Sequence, residues 1–290
     1  MNKRVLPLAL ALFVSITSIK ANDFDDNKKK FSFAFFTDIH LNKGNNGCFE
    51  GLDKAISSAK DHHAEFILTG GDNVDIDVLG KDASTAHWLY GKYAEVIANS
   101  DINYYASIGN HDRFYGCDKS DPLFERGLFE KYLNKSYYSF DLKGWHFIVL
   151  NTSNSIVEEE QIKWLAADLE NVDPETPIVI STHVPFLSVY YPALDGKYTD
   201  IDTFKNFKEI WDMFEDKNLK LVLQGHMHLY EEIKVKGVQF ITGGAVSASW
   251  WGGAYHGTEE GYLLLHMDGD DFDWEYIDYG WEVNKASANR

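Results

Sequence analysis

Positive charge is scarce in this 290-residue chain: 27 Lys and Arg stand against 45 Asp and Glu, a formal net charge of −18. A chain this acidic repels nucleic-acid polymers and anionic lipid surfaces over a Debye length. A phosphate substrate is not excluded, because bound metal ions invert the local field. Long apolar runs are also rare. The stretch Val5–Ile19 is short for a membrane-spanning helix, which needs about 20 residues. It follows Met1-Asn2-Lys3-Arg4 and precedes Lys20-Ala21-Asn22-Asp23, the pattern of a cleaved export signal with Ala21 as the last residue removed. Ile19 sits where a smaller residue is preferred, so an uncleaved anchor is the alternative. No cysteine lies near Ala21, which argues against a lipid-anchored bacterial lipoprotein. No Pro- or Ser-rich linker and no internal repeat divides the rest. The expected layout is an export signal over 1–21, a polar lead-in over 22–30 and one α/β domain over 31–290.

Strand-like and helix-like runs alternate through most of the chain. Strands are expected at Phe31–Phe36, Phe66–Leu68, Tyr104–Ile108, Ile178–Ile180 and Leu219–Leu223, and a hairpin at Tyr137–Leu142 and Trp145–Asn151. Helical spacing marks Cys48–His63, Ser84–Ala98, Glu158–Leu169 and Phe204–Phe214. The last third adds strands at Glu231–Val235, Val238–Thr242, Tyr262–His266 and Phe272–Ile277. This order predicts two mixed sheets packed face to face with helices outside.

Five short polar motifs punctuate that order: Asp38-Ile39-His40, Gly71-Asp72-Asn73, Gly109-Asn110-His111-Asp112, Thr182-His183-Val184 and Gly225-His226-Met227-His228. Each follows a predicted strand. Asp38-x-His40, Gly71-Asp72-Asn73 or His183 alone is more simply a turn or a core histidine, whereas His226-x-His228 after a glycine is more specific for metal. Five ligand-rich motifs at five strand ends are hard to assign to packing and point to a metal site.

The pattern D-x-H, G-D-N, G-N-H-D, a lone His, then G-H-x-H resembles the calcineurin-like metallophosphoesterase superfamily, from about Phe31 to about Gly261. The resemblance implies a double β-sheet sandwich flanked by helices and hydrolysis of phosphate esters with two divalent metal ions. Carried over by motif, Asp38, His40 and His228 look like ligands of one metal and Asn110, His183 and His226 of the other, with Asp72 bridging both. Imidazoles suit Mn, Fe, Zn or Ni, and two anionic ligands leave the pair of cations with excess positive charge to attract phosphate. His111 looks like the residue that contacts phosphate and leaving oxygen without binding metal, a candidate general acid. Asp75 stands where one branch of the family has that histidine's carboxylate partner; Asp112 is the alternative.

Absences narrow the branch. The tyrosine ligand of purple acid phosphatases is replaced here by Asp75. The phosphate-clamping arginine of protein Ser/Thr phosphatases is missing after Ile76-Asp77. The motifs are most like the bacterial phosphodiesterase branch, and the expected substrate is a small phosphodiester or phosphomonoester of nucleotide or sugar phosphate type. A non-catalytic binding module and a metallo-amidase or peptidase are the rival readings. Two aromatic loops, with Tyr190 in one and Trp250, Trp251 and His256 in the other, are expected either to line the substrate pocket or to pack on themselves. The only two cysteines, Cys48 and Cys117, each follow a metal motif, and an exported chain meets an oxidising compartment. They are therefore expected to form a disulfide across one rim of the site, two unrelated thiols being the alternative.

Overall fold

A computed structural model describes residues 30–44, 47–197 and 203–283. The expected export signal and nearly all of the lead-in lie outside the described residues.

The strand β1 (Phe31–Phe36) shows how the layers arise. Side chains alternate across a strand. Phe31, Phe33 and Phe35 face one way, into a core shared with the second sheet; Ala34 and Phe36 face the other, into a core shared with helices. β1 pairs in parallel with β2 (Phe66–Thr69), which pairs in parallel with β3 (Asn103–Tyr105). On its other side β1 runs antiparallel to β10 (Gly261–Asp268), which pairs with β11 (Asp271–Asp278). The first sheet therefore has the order β11-β10-β1-β2-β3. The second has the order β4-β5-β6-β7-β9-β8, from β4 (Tyr138–Leu142), β5 (Trp145–Val149), β6 (Ile178–Thr182), β7 (Leu219–Gln224), β8 (Glu231–Val235) and β9 (Val238–Thr242). Strands β5, β6, β7 and β9 are mutually parallel in that order.

Aromatic rings lock the sheets together. Phe33 stacks on Phe66 at 4.7 Å, and Phe147 from the second sheet meets Phe33 edge-on at 5.6 Å. Such pairs contribute roughly 0.5–1.5 kcal/mol each beyond the area they bury. Helices cover the outer faces: α1 (Cys48–Asp61) and α2 (Ala83–Asn99) on the first sheet, α4 (Glu159–Glu170) and α6 (Phe207–Asp212) on the second. Two short helices, α3 (Gly127–Tyr132) and α5 (Tyr190–Asp195), complete the set among the described residues. The two mixed sheets with flanking helices are the fold expected from the order of elements. Among the described residues no helix is long and apolar enough to cross a membrane.

Some elements differ from expectation. β3 stops at Tyr105, three residues early, because Ser107 N–H turns aside to donate to Thr69 Oγ1 (2.8 Å). The helix expected over Phe204–Phe214 keeps only Phe207–Asp212, and α3, α5 and a 3₁₀ turn at Asp77–Leu79 were not expected. The expected disulfide is not formed. No bond joins Cys48 to Cys117, and the Sγ of buried Cys48, at the start of α1, turns to the Asn42 carbonyl (3.4 Å).

Candidate metal centre

Parallel strands end on the same edge of their sheets, so the five motifs, which follow β1, β2, β3, β6 and β7, collect at one edge of the sandwich. Backbone bonds lace them together. Asp38 N–H donates to Gly71 O (3.0 Å), His40 N–H to Asp72 O (2.9 Å) and Gly225 N–H to His183 O (3.0 Å). Glycine makes the approach possible at two points. A Cβ on Gly109 would lie 2.2 Å from Asp72 Oδ1, and one on Gly225 would lie 2.0 Å from Thr37 Oγ1.

Two donor clusters carry the expected ligands, and a third group joins His40, Asp75 and His111. The ligating atoms of Asp38, His40 and His228 lie within 4.8 Å of one another, as do those of Asp72, His183 and His226. Asn110 joins the second cluster, its Oδ1 lying 2.9 Å from His183 Nε2. Asp72 stands between the two: its Oδ2 is 3.2 Å from His183 Nε2 and 3.8 Å from His40 Nε2. Its Oδ1 accepts the His111 backbone N–H (2.8 Å). Thr37 Oγ1 (2.5 Å) and His226 N–H (3.0 Å) donate to Asp38 Oδ2.

The ring orientations fix where the lone pairs point. His40 Nδ1 faces the Asp75 carboxylate (2.6 Å), His228 Nδ1 the Ala248 carbonyl (2.5 Å) and His183 Nδ1 the Gly70 carbonyl (2.7 Å). A carbonyl or carboxylate only accepts, so each Nδ1 carries the proton and each Nε2 is left to bind. Yet His40 Nε2 and His228 Nε2 stand 3.0 Å apart, and His183 Nε2 faces two oxygen acceptors. Bare lone pairs at such distances repel; something positive belongs between them. Protons can fill that place. Burial pulls His40 and His183 down, but carboxylates win: Asp75, Asp72 and Asp38 raise His40, and chiefly Asp72 raises His183, to about 9. Burial dominates at His226, held at about 4 with the help of charge on His183, and at His228, which is also lowered. Divalent cations fit the same donor set of imidazole, carboxylate and amide oxygen, and their binding displaces the protons.

The comparisons with known proteins bear on this arrangement. The family model of the calcineurin-like phosphoesterases matches residues 31–230, more than half of the chain. The chain belongs to the calcineurin-like phosphoesterase family. As such it is a metal-dependent phosphoric ester hydrolase. It is similar to a probable cyclic nucleotide phosphodiesterase of Fibrobacter succinogenes, 26% identical over 206 residues that cover 69% of this chain and 74% of that one. It is also similar to purple acid phosphatase 22 of Arabidopsis thaliana, 26% identical over 187 residues; the match spans 58% of this chain but only 39% of the plant protein. In fold it resembles a dimetal phosphatase from Danio rerio, with TM-score 0.63, 14% identity and coverage of 86% of this chain and 96% of that one.

In this phosphoesterase the partner expected for His111 is corrected. Asp75 lies close but makes no hydrogen bond to it; Asp77 Oδ1 accepts from His111 Nδ1 at 2.9 Å, while Asp75 holds His40. Backbone pairing decides between them. Asp75 N–H donates to Leu41 O (2.9 Å) beside His40, whereas Ile76 N–H donates to His111 O (3.0 Å), which brings Asp77 beside the His111 ring. Burial lowers His111, but the Asp77 bond and the charges of Asp72, Asp77 and Asp75 raise it to about 9. The ring stands edge-on to His40 at 5.0 Å. Asp112, the other candidate partner, is buried and accepts from Gly109 N–H (2.8 Å), Asn73 N–H (3.0 Å) and Val74 N–H (3.0 Å). It ties the second motif to the third.

The aromatic loops also divide. Trp251 is corrected from pocket to core: it is fully buried, lies over Gly51 and donates from Nε1 to His40 O (3.2 Å). Trp250 is 43% exposed and stacks on His228 at 4.2 Å. Tyr190 meets His256 edge-on at 6.2 Å, so the two loops pack on each other beside the metal centre. Sequence reasoning missed Asp77, whose only signal was a second carboxylate two residues beyond Asp75. It also missed Tyr90 and Tyr93, which buttress the motifs by donating to Asp112 O (2.7 Å) and Asn73 Oδ1 (2.6 Å).

Proposed function

We propose that this phosphoesterase is exported, to the periplasm or the medium, and hydrolyses small phosphate esters of nucleotide or sugar phosphate type, with Asp38, His40 and His228 holding one divalent cation, Asn110, His183 and His226 the other, and Asp72 both. The observation that supports the metal assignment is the convergence of His40 Nε2 and His183 Nε2 on Asp72 Oδ2, with His228 Nε2 facing His40 Nε2 and Asp38 Oδ1 beside them. Two divalent cations there supply Lewis acidity toward the phosphoryl oxygens and toward water.

The chain's own groups do the rest. Asp75, Ala248 O and Gly70 O orient the three imidazoles. His111 gives its Nδ1 proton to the bond with Asp77, which leaves the Nε2 proton of the imidazolium for the departing oxygen. The named activity of the Fibrobacter relative supports a phosphodiester among the substrates. The net charge of −18 supports small esters over nucleic-acid polymers.

Hydrolysis of p-nitrophenyl phosphate and bis-p-nitrophenyl phosphate by protein reconstituted with Mn, Fe, Zn or Ni tests the reaction. Turnover of neither ester with any of these metals refutes it, and cleavage of an anilide instead would favour an amidase. Mature protein beginning at Asn22 outside the cytoplasm tests export; full-length protein retained inside refutes it.

A further inference from the structure

The loop that follows β9 is built in a costly way. Ala248, Trp250 and Trp251 all have left-handed backbones (φ 40°, 49° and 69°) although none is glycine. Such conformations cost on the order of 1–3 kcal/mol each and persist only where the surroundings enforce them. Here the surroundings are the metal centre itself. Ser247 Oγ donates to Asp38 O (2.7 Å), Ala248 O accepts from His228 Nδ1, and the buried Trp251 indole donates to His40 O. Glu260 fixes the far side of the turn by accepting Gly253 N–H (3.0 Å). All this bonding pins the backbone on both sides of Trp250 while leaving that residue 43% exposed.

The indole stacks on His228 at 4.2 Å and 29°, lies 5.5 Å from His40, and meets Tyr255 edge-on at 6.0 Å. Shielding of the imidazoles alone would favour a buried ring, as at Trp251. A large apolar ring left half open on a hydrogen-bonded backbone next to the centre is instead a surface prepared for something flat. Its neighbours Tyr255, His256, Tyr190 and Tyr191 bring no carboxylate, lysine or arginine to the wall.

We propose that Trp250 is the specificity-determining residue of this phosphoesterase: it stacks on a flat, uncharged aromatic group esterified to the phosphate and so selects aryl and base-bearing esters over alkyl esters. The proposal rests on the phosphate-ester reading above. Because the backbone that carries the indole is already hydrogen-bonded in place, little backbone ordering entropy is lost when a ring settles on it.

The test uses two non-hydrolysable probes, phenylphosphonate and methylphosphonate, titrated calorimetrically into the Mn-loaded full chain. Stacking on one aromatic side chain corresponds to roughly a five- to hundred-fold preference, so phenylphosphonate should bind at least five-fold more tightly. Trp250→Ala should bring the ratio close to one, Trp250→Leu should do the same while keeping apolar bulk, and Trp250→Phe should restore part of it. Metal content and circular dichroism of each variant check that the centre and the fold persist. If Trp250→Ala misfolds, the comparison of Trp250→Leu with Trp250→Phe decides the matter. An unchanged ratio in the Leu variant, or a ratio of one in the unaltered protein, overturns the proposal. Turnover of p-nitrophenyl esters is measured in parallel. Phenyl selectivity through Trp250 without any turnover would sink the hydrolase reading and leave the platform standing; turnover without phenyl selectivity would do the reverse.

Discussion

Asp75 and Asp77 lie two residues apart and hold different histidines, so neutralising them should break different properties. Asp77 accepts from His111 Nδ1 at 2.9 Å, with the two side chains 24% and 27% exposed. A hydrogen bond to a charged group contributes about 1.5–3 kcal/mol when well buried; with partial solvation about 1–2 kcal/mol is the reasonable share. Asp77→Asn keeps an acceptor but removes the charge that supports the imidazolium. It should lower kcat roughly 5- to 30-fold with metal content unchanged. His111→Ala marks the limit, a loss of about 10²–10⁴-fold, larger for alkyl than for p-nitrophenyl leaving groups. Asp75 instead accepts from His40, a fully buried ring, at 2.6 Å. Removing a carboxylate behind a metal-binding histidine weakens metal affinity by about 10–100-fold. Asp75→Asn should therefore lose activity at limiting metal and recover most of it at saturating metal. Elemental analysis after desalting, beside kcat at saturating metal, separates the two. If Asp77→Asn loses metal while Asp75→Asn keeps it and loses kcat, the assignment of partners is wrong.

Asp72→Asn removes the carboxylate between the clusters and should abolish turnover and lower metal content; two metals per chain at near-native rates would contradict the bridging role. The iron-loaded protein should lack a tyrosinate-to-iron band, because the resemblance puts Asp75 at the position of that phenolate and the Tyr90 and Tyr93 hydroxyls are committed to Asp112 and Asn73; a strong purple colour that fades on reduction would refute this. His146, set between Asp141 (2.7 Å) and Asp168 (2.9 Å), has its pKa raised above the ordinary 6.5: burial opposes the charge, and the two carboxylates prevail. Its contribution is then fully present below about pH 6.5 and lost as the pH rises through the raised value. Urea unfolding should show His146→Gln destabilised by about 1–2 kcal/mol at pH 5.5, shrinking by pH 9; an equal deficit at both values would exclude the linkage.

The two-sheet order could be read from the sequence because apolar runs of strand length alternate with helical spacing, and β1, β8 and β9 have the predicted bounds. The candidate ligands were legible for a related reason: polar motifs at strand ends inherit their position from the sheet. What depended on pairing between distant loops was not legible. The choice between Asp75 and Asp77 is made by which backbone carbonyl, Leu41 or His111, each neighbourhood meets. Trp250 and Trp251 are adjacent and similar in sequence, yet left-handed backbone turns leave one half open and bury the other in the core. The two cysteines were placed by analogy of loop position, which ignores that Cys48 begins a helix whose inner face it joins.

The candidate metal centre is divided between the sheets: Asp38, His40, Asp72 and Asn110 follow strands of the first, while His183, His226 and His228 follow strands of the second. The closest contact between imidazoles from opposite sheets joins residues 188 positions apart. Neither sheet alone offers more than part of a coordination shell, so tight uptake of metal must wait until the aromatic seam between them has closed. A loaded centre is thus a record of completed assembly. Damage to the seam far from the site, for example at Phe33 or Phe147, would surface first as a protein that folds its sheets but cannot keep its metals.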